Sequence, residues 1–84
     1  MFTVIWRDAA LDELADVYVL ADEASRTRLE QVVVGWNNQL NSTPMNLGES
    51  RTGNRRIALA GRCGIIFAVD AAVQVVRVLH FWTY

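Results

Sequence analysis

The last third of the chain contains three strand-like segments: NRRIALA at residues 54–60, RCGIIFAVD at residues 62–70 and VQVVRVLHFW at residues 73–82. These segments are rich in β-branched and aromatic residues, which favours strands, and only Gly61 or the pair Ala71–Ala72 separates them. A connection of one or two residues cannot carry a helix across the sheet, so we expect an antiparallel meander. The residues before Arg51 are then expected to form the layer that covers one face of this sheet.

The first half of the chain predicts one strand and two helices. Apolar and polar residues alternate from Phe2 to Arg7, which predicts a strand. The helix predicted after it begins with acidic residues, which suit a helix N-terminus. Its apolar stripe consists of Ala10, Leu14, Val17, Tyr18 and Ala21. A second helix is predicted to begin near Ser25 or Thr27, with Thr27 and Glu30 as a capping box. Its apolar stripe consists of Leu29, Val32, Val33, Trp36 and Leu40. A polar loop from Asn41 to Gly53 leads to the meander.

This order of elements predicts an α+β fold. The order is β-α-α-β-β-β, and a chain of 84 residues has the length of one domain. We therefore predict a single domain over residues 1–84, in which a helical hairpin packs on one face of a small, mainly antiparallel sheet. The last strand is apolar on both of its faces, so we expect it inside the sheet rather than at an edge.

The composition narrows the classes of function. A net charge of −1 argues against a strongly basic, non-specific nucleic-acid binder. All eight basic residues are arginine, so no lysine ammonium is available as an acid or base. One cysteine, Cys63, and one histidine, His80, cannot form a disulfide within the chain or a metal cluster, and we expect no cofactor. The chain has neither a basic-then-apolar leader nor a run of about 18 apolar residues, so we expect a cytoplasmic protein without a membrane segment.

Alternation along the strands assigns their side chains to two faces. The large apolar residues predicted to face the core are Ile57, Leu59, Ile65, Phe67 and Val69. The small and basic residues between them are predicted to form an open floor, suited to a polyanion or a partner segment: Arg56, Ala58, Ala60, Arg62, Gly64 and Ala68. In the last strand, strict alternation puts Val76, Val78, His80, Trp82 and Tyr84 on one side and Val73, Val75, Arg77, Leu79 and Phe81 on the other. Which of these two sides meets the helices stays open.

Six short motifs follow one another in an order and spacing known from one family. They are Val4–Trp6, Ala9–Leu14, Thr43–Pro44, Gly53–Ile57, Ile65–Asp70 and Val76–His80. Through them, nearly the whole chain resembles the RelE/ParE superfamily of type II toxin–antitoxin toxins, which includes plasmid stabilisation proteins. The resemblance implies the fold predicted above and a cytoplasmic toxin that a cognate antitoxin neutralises. It also implies one of two targets, since RelE-like members cut mRNA in the ribosome and ParE-like members inhibit DNA gyrase.

The chain departs from the family's catalytic pattern at several places. The lysines of RelE-like members are absent, and the Glu that precedes the loop proline in YoeB-like members is Thr43 here. The family's Arg three residues before the aromatic of the third strand is Gly64, if Phe67 is that aromatic. The frequent Arg after the terminal-strand histidine is Phe81. These departures leave open a non-catalytic protein, either a ParE-like gyrase inhibitor or a degenerate toxin that acts as an interaction module.

The remaining polar side chains define the site that the resemblance implies. Metal-independent RNA cleavage needs a base for the 2′-OH, cationic donors for the phosphate and an acid for the leaving oxygen. The predicted catalytic residues are Arg62, His80 and Tyr84. Arg62 is expected to bind the phosphate, His80 to transfer the proton, and Tyr84 to support the base. The predicted RNA phosphate ligands are Arg51, Arg55 and Arg56. Because Arg55 and Arg56 point to opposite faces, we expect Arg56 to share the floor with Arg62.

The implied partners are a cognate antitoxin protein and mRNA on the ribosome. A homodimer and a hetero-oligomer with the antitoxin both stay open. Each site residue also has a purely structural interpretation: His80 as a histidine satisfied within the sheet, Arg62 as a solvated charge at the end of a strand, and Tyr84 as a frayed terminus.

Overall fold

The computed structural model describes all 84 residues and confirms the predicted α+β class. Its elements are, in chain order, β1 Thr3–Trp6, α1 Asp8–Leu20, α2 Glu23–Ser42, a 3₁₀ turn at Pro44–Asn46, β2 Glu49–Ser50, β3 Arg55–Ala60, β4 Cys63–Asp70 and β5 Val75–Thr83. The short strand β2 lies within the stretch predicted as a loop. Neither helix is both long enough and apolar enough to span a membrane.

The five strands form one mixed sheet in the order β1-β5-β4-β3-β2. The strands β3, β4 and β5 pair antiparallel, as their short connections require, and β2 pairs antiparallel with β3. The strand β1 pairs parallel with β5, which is possible because a long stretch of chain separates the two. The last strand therefore lies inside the sheet, between β1 and β4, as predicted.

The helix α2 starts earlier than the sequence pattern predicts. Its N-cap is Asp22, whose carboxylate accepts a hydrogen bond of 2.8 Å from the Ser25 backbone N–H. This bond lowers the pKa of Asp22 because it stabilises the charged carboxylate. The predicted capping box of Thr27 and Glu30 is wrong. Thr27 lies inside the helix, where its hydroxyl donates to the Glu23 carbonyl oxygen.

Buried apolar side chains from the helices and from one face of the sheet form the core. They include Ala10 of α1, Leu29, Trp36 and Leu40 of α2, and Ala58, Ile65, Phe67, Val69, Val76, Val78 and Phe81 of the sheet. The rings of Trp36 and Phe81 meet edge to face, with 6.5 Å between their centroids. A polar contact also joins the layers, since the Trp6 indole N–H donates to Asn37 Oδ1 at 2.8 Å.

The predicted faces of β3 are wrong. Ala58 is opposite Ile65 in the β3–β4 pair, and both are buried in the core. Leu59 is opposite Gly64, and 58% of the Leu59 surface is exposed. Because directly opposite residues share a face, the small side of β3 faces the helices and its large apolar side faces away.

Small side chains in this region let the helix layer approach the sheet closely. Ala58 is buried and Ala60 packs against the core. At the neighbouring turn, a Cβ added to Gly61 would lie only 2.9 Å from Val32 Cγ2 of α2. The floor predicted around Ala58 and Ala60 is therefore covered by the helices and is not open to a ligand.

A β-bulge in β5 reverses the alternation of its side chains. Phe67 is opposite Val78 but Ile66 is opposite His80, so Leu79 is an extra residue without a partner on β4. The side chains that face the helices are Val76, Val78 and Phe81, and those that face away are Arg77, His80 and Trp82. The groups predicted from strict alternation are therefore wrong, because one inserted residue shifts the pattern for the rest of the strand.

Candidate functional site

The sheet has one surface opposite the helices, hereafter the open sheet face. The register of the strands places on it Thr3, Ile5, Glu49, Arg55, Ile57, Leu59, Gly64, Ile66, Ala68, Asp70, Val75, Arg77, His80 and Trp82. None of these residues belongs to the core, and only Gly64 is buried, since the Trp82 indole lies over it. This face is therefore accessible to a ligand.

Two arginines flank an alanine on the open sheet face. Arg55 of β3 and Arg77 of β5 are both directly opposite Ala68 of β4, and both are exposed. Their backbones are about 10 Å apart, two strand spacings, and the small side chain between them leaves room for a bound group. The one arginine–carboxylate ion pair of the chain is Arg51–Glu49, so neither Arg55 nor Arg77 forms an ion pair. A carboxylate does lie on this face, because Asp70 is two residues from Ala68 along β4. The arginine pair is suited to phosphate, which guanidinium groups bind through charge-assisted hydrogen bonds.

Sequence reasoning missed Arg77 as a site residue. Strict alternation placed it on the side opposite His80, and the bulge at Leu79 brings the two onto one face. The apolar residues around the bulge carry no glycine or proline to mark it, so local sequence offers no signal that would have revealed it.

His80 lies on the open sheet face beside α1. Its Nδ1 is 3.1 Å from Glu13 Oε1, and the side chains of both residues are partly exposed. The same carboxylate oxygen accepts a hydrogen bond of 3.3 Å from the Phe81 backbone N–H. The ring of His80 is therefore tied to α1 by one nitrogen.

The indole of Trp82 covers Gly64 on the open sheet face. A Cβ added to Gly64 would overlap Trp82 Cζ2 and Cε2, so the ring rests on the bare backbone of Gly64. An arginine at position 64 would displace this ring. The aromatic plane instead lies on the same face as Arg77 and His80.

Arg56 is held by the loop that precedes β2. Its Nε donates to the Leu47 carbonyl at 2.9 Å, one terminal nitrogen donates to the Gly48 carbonyl at 2.9 Å, and the other donates to Ser50 Oγ at 2.8 Å. Arg56 is opposite Phe67 and thus lies on the helix side of β3. The structure separates it from the open sheet face, where Arg55 lies instead.

Replacing Arg56 with alanine is expected to lower the free energy of unfolding by about 1–3 kcal/mol, because three hydrogen bonds from a charged donor are lost. Urea denaturation followed by circular dichroism measures this change. The matched control is Arg55→Ala, which removes an unpaired guanidinium from the same strand and should change stability by less than about 0.5 kcal/mol. Equal losses in the two variants would show that the three bonds contribute nothing.

Arg62 and Tyr84 lie together at one end of the sheet. The Tyr84 backbone N–H donates to the Arg62 carbonyl at 2.9 Å, and both residues line a cavity of about 270 Å³ with Ser25 and Arg28 of α2. His80 lies four residues before Tyr84, which corresponds to about 13 Å of strand. The structure therefore brings two of the three predicted catalytic side chains together and leaves His80 apart from them.

The other predicted phosphate ligand, Arg51, lies in the exposed loop after β2. Its Nη1 is 3.4 Å from Glu49 Oε2, and the same nitrogen donates to the Ser50 carbonyl at 3.0 Å. Cys63 is buried, and burial raises the pKa of its thiol, which makes it a poor nucleophile. The Arg51 backbone N–H donates to the Arg55 carbonyl oxygen at 2.7 Å, so Arg51 lies beside the arginine pair, whereas Cys63 faces the core.

The largest cavity, about 460 Å³, is an apolar groove between the two helices. It is lined by Leu11, Leu14, Ala15, Tyr18, Val19, Leu29, Glu30, Val33 and Val34. At its rim the Tyr18 hydroxyl donates to Glu30 Oε1 at 2.8 Å. A contiguous exposed apolar surface of this kind is typical of a contact surface for another protein.

Solved structures of toxin–antitoxin systems share this fold. A chain of the RelBE2 toxin–antitoxin complex from Mycobacterium tuberculosis matches with a TM-score of 0.78 and 20% identity, over 99% of this chain and 91% of that one. A chain of the chromosomal ParDE system from P. aeruginosa gives a TM-score of 0.73 and 16% identity, over 99% and 96% of the two chains. The isolated RelE toxin from E. coli gives 0.67 and 15%, over 99% and 84%. A scan of protein-family models and a search of curated proteins find no match. The chain therefore has the fold of the RelE and ParE toxins, as its sequence motifs imply.

Proposed function

We propose that this chain is the toxin of a type II toxin–antitoxin pair and that it cleaves mRNA in the ribosome through its open sheet face. The observation that carries the proposal is the arginine pair: Arg55 and Arg77 flank Ala68 without a carboxylate partner, and His80 lies on the same face. His80 is opposite Ile66, two residues or about 7 Å along β4 from Ala68, so a phosphate bound between the two guanidinium groups would have an imidazole as its neighbour on the same face.

The proposed reaction is an internal displacement at the phosphate. His80 takes the proton from the ribose 2′-OH, the 2′-oxygen forms a bond to phosphorus, and the bond from phosphorus to the 5′-oxygen breaks. The leaving 5′-oxygen keeps the electron pair of that bond and takes a proton from water or from the imidazolium of His80. The products are a 2′,3′-cyclic phosphate and a 5′-hydroxyl. Arg55 and Arg77 would stabilise the negative charge that grows on the phosphate oxygens in the transition state.

The rest of the open sheet face supports single-stranded RNA as the ligand. Trp82 offers an aromatic plane on which an unpaired base stacks, and Ile57 and Ile66 form an apolar surface beside it. The positive charge is local, since the whole chain has a net charge of −1. Such a surface would contact a short segment of an RNA strand rather than a long stretch of its backbone. This suits a substrate that a larger assembly such as the ribosome holds in position.

A cognate antitoxin is the proposed protein partner in the cytoplasm. The structural neighbours come from toxin–antitoxin complexes, and the apolar groove between α1 and α2 provides a surface for an amphipathic segment of such a partner. The groove lies on the helix layer, on the opposite side from the arginine pair. An antitoxin bound in the groove would leave the open sheet face free unless a further segment of it crossed the sheet.

Replacing Arg77 or Arg55 with alanine is expected to reduce mRNA cleavage at least tenfold, because each loss removes a charged donor from the phosphate. The measurement is primer extension on a defined mRNA in a purified translation system, which maps the cleavage positions and their rates. The matched control is Arg28→Ala on the exposed surface of α2, which removes the same charge away from the open sheet face and should leave the rate unchanged.

Absence of cleavage by the unaltered protein on translating ribosomes would reject the RNase proposal. Inhibition of gyrase supercoiling by the same preparation would select the alternative, a ParE-like inhibitor without catalysis. Cleavage that is lowered by Arg28→Ala but not by Arg55→Ala or Arg77→Ala would show that RNA is cut elsewhere, at the cavity that Arg28 lines with Arg62 and Tyr84.

A further inference from the structure

One carboxylate oxygen on α1 makes two contacts with β5. Glu13 Oε1 is 3.1 Å from His80 Nδ1 and 3.3 Å from the Phe81 backbone nitrogen. The contacts join positions 67 and 68 residues apart, so only the fold creates them. The Phe81 N–H donates and the ionised carboxylate accepts, which anchors this oxygen. A favourable contact with His80 therefore requires the imidazole proton on Nδ1.

This arrangement leaves the second ring nitrogen of His80 free. Nε2 makes no hydrogen bond within the chain, and 52% of the His80 side chain is exposed. When a neutral imidazole carries its proton on Nδ1, the lone pair is on Nε2. The ring is thus held in the form that accepts a proton at its exposed edge.

We infer that Glu13 is a positioning residue for His80. Its carboxylate holds the Nδ1–H tautomer and leaves Nε2 to take the 2′-OH proton. The identity of that reaction rests on the proposed function, whereas the orientation of the ring rests on the contacts themselves. Glu13 acts through His80 and does not touch the RNA.

The bulge at Leu79 is part of this arrangement. It turns the His80 side chain toward the open sheet face while the Phe81 side chain stays in the core. The Phe81 N–H and the His80 ring then both meet the Glu13 carboxylate. Bulges commonly re-aim side chains in this way next to active sites.

The tautomer of His80 can be read directly by NMR, because His80 is the single histidine of the chain. Long-range ¹H–¹⁵N spectra of ¹⁵N-labelled protein, purified without a histidine tag and held in alkaline buffer, distinguish the two neutral forms. We expect the Nδ1–H form in the unaltered protein and in Glu13→Gln, whose amide oxygen still accepts. Glu13→Ala should raise the Nε2–H population severalfold. The matched control, Asp16→Ala, removes a carboxylate from the exposed side of the same helix and should leave the spectrum unchanged.

Cleavage rates of the same variants connect the tautomer to the reaction. Glu13→Ala should lower kcat about tenfold with KM unchanged, and Glu13→Gln should recover most of that loss. An Nε2–H form in the unaltered protein would overturn the inference, as would a Glu13→Ala variant that melts at a lower temperature but keeps the Nδ1–H form. If the unaltered protein cuts no RNA, the proposed function is rejected, and the spectra still decide whether Glu13 positions the ring.

Discussion

Replacing Trp36 with alanine is expected to lower the free energy of unfolding by about 3–5 kcal/mol. Trp36 is only 3% exposed, and its ring meets the edge of Phe81, which lies on an interior strand of the sheet. Removing the indole creates a cavity between α2 and β5 and removes an aromatic pair. A chain of this length has a total stability of roughly 4–13 kcal/mol, so the loss is a large fraction of the total.

Urea denaturation at 25 °C followed by circular dichroism measures the Trp36 effect without relying on tryptophan fluorescence. The matched control is Val34→Ala, two residues away on the exposed side of the same helix, which should change stability by less than about 0.5 kcal/mol. If the variant is unfolded in water, Trp36→Phe provides a milder test, since it keeps an aromatic ring and should retain the fold. A Trp36→Ala loss below about 1 kcal/mol would mean that the helix layer is not fixed to the sheet by this contact.

Replacing Gly64 with alanine is expected to lower stability by about 2–3 kcal/mol, although the change adds one methyl group. The added Cβ would overlap Trp82 Cζ2, so the indole must leave the sheet or the strands must separate. The backbone of Gly64 is not in the left-handed region, so the expected loss is steric rather than conformational. Displacement of the ring would also remove the aromatic plane from the open sheet face.

A double-mutant cycle isolates this steric effect. In a Trp82→Ala background, Gly64→Ala should cost nothing, which gives a coupling energy of about 2–3 kcal/mol between the two positions. The matched control is Gly35→Ala on α2, where no atom lies within 4 Å of the added Cβ. Because alanine is a better helix former, Gly35→Ala should raise stability by about 0.5–1 kcal/mol. A Gly64→Ala loss that persists without Trp82 would contradict the proposed contact.

The order of the main elements and the pairing of the last three strands were predictable because they depend on local chemistry, whereas β2 and the parallel pairing of β1 with β5 were not predicted. The turn residues between the last three strands leave no room for a crossover, so their antiparallel pairing follows from the sequence. The position of β5 inside the sheet follows from its apolar character on both faces. The start of α2 was predicted too late, because Asp22 and Thr27 are both residue types that cap helices. Which of them is the N-cap depends on the conformation of the turn between α1 and α2.

The candidate site was harder to predict than the fold. Arg55 lies on the open sheet face, whereas Arg56, the phosphate ligand preferred from the sequence, donates hydrogen bonds to the Leu47 and Gly48 carbonyl oxygens. Their alternation was predicted correctly, but the identity of the covered face was not. The open face of β3 was assigned from the size of its side chains. Small residues in a strand, however, can lie under a packed helix as well as under a bound ligand.

The fold class and the meander could be predicted from the amino-acid sequence, since strand propensity, turn residues and connection length act between neighbours in the chain. The open face of the sheet, the placement of Arg77 and His80 on it, and the carboxylate that holds the histidine ring could not. They depend on a one-residue bulge at Leu79 and on the packing of helices over Ala58, which arise only when distant parts of the chain pack together. Glu13 and His80, 67 residues apart, meet only after both layers are in place.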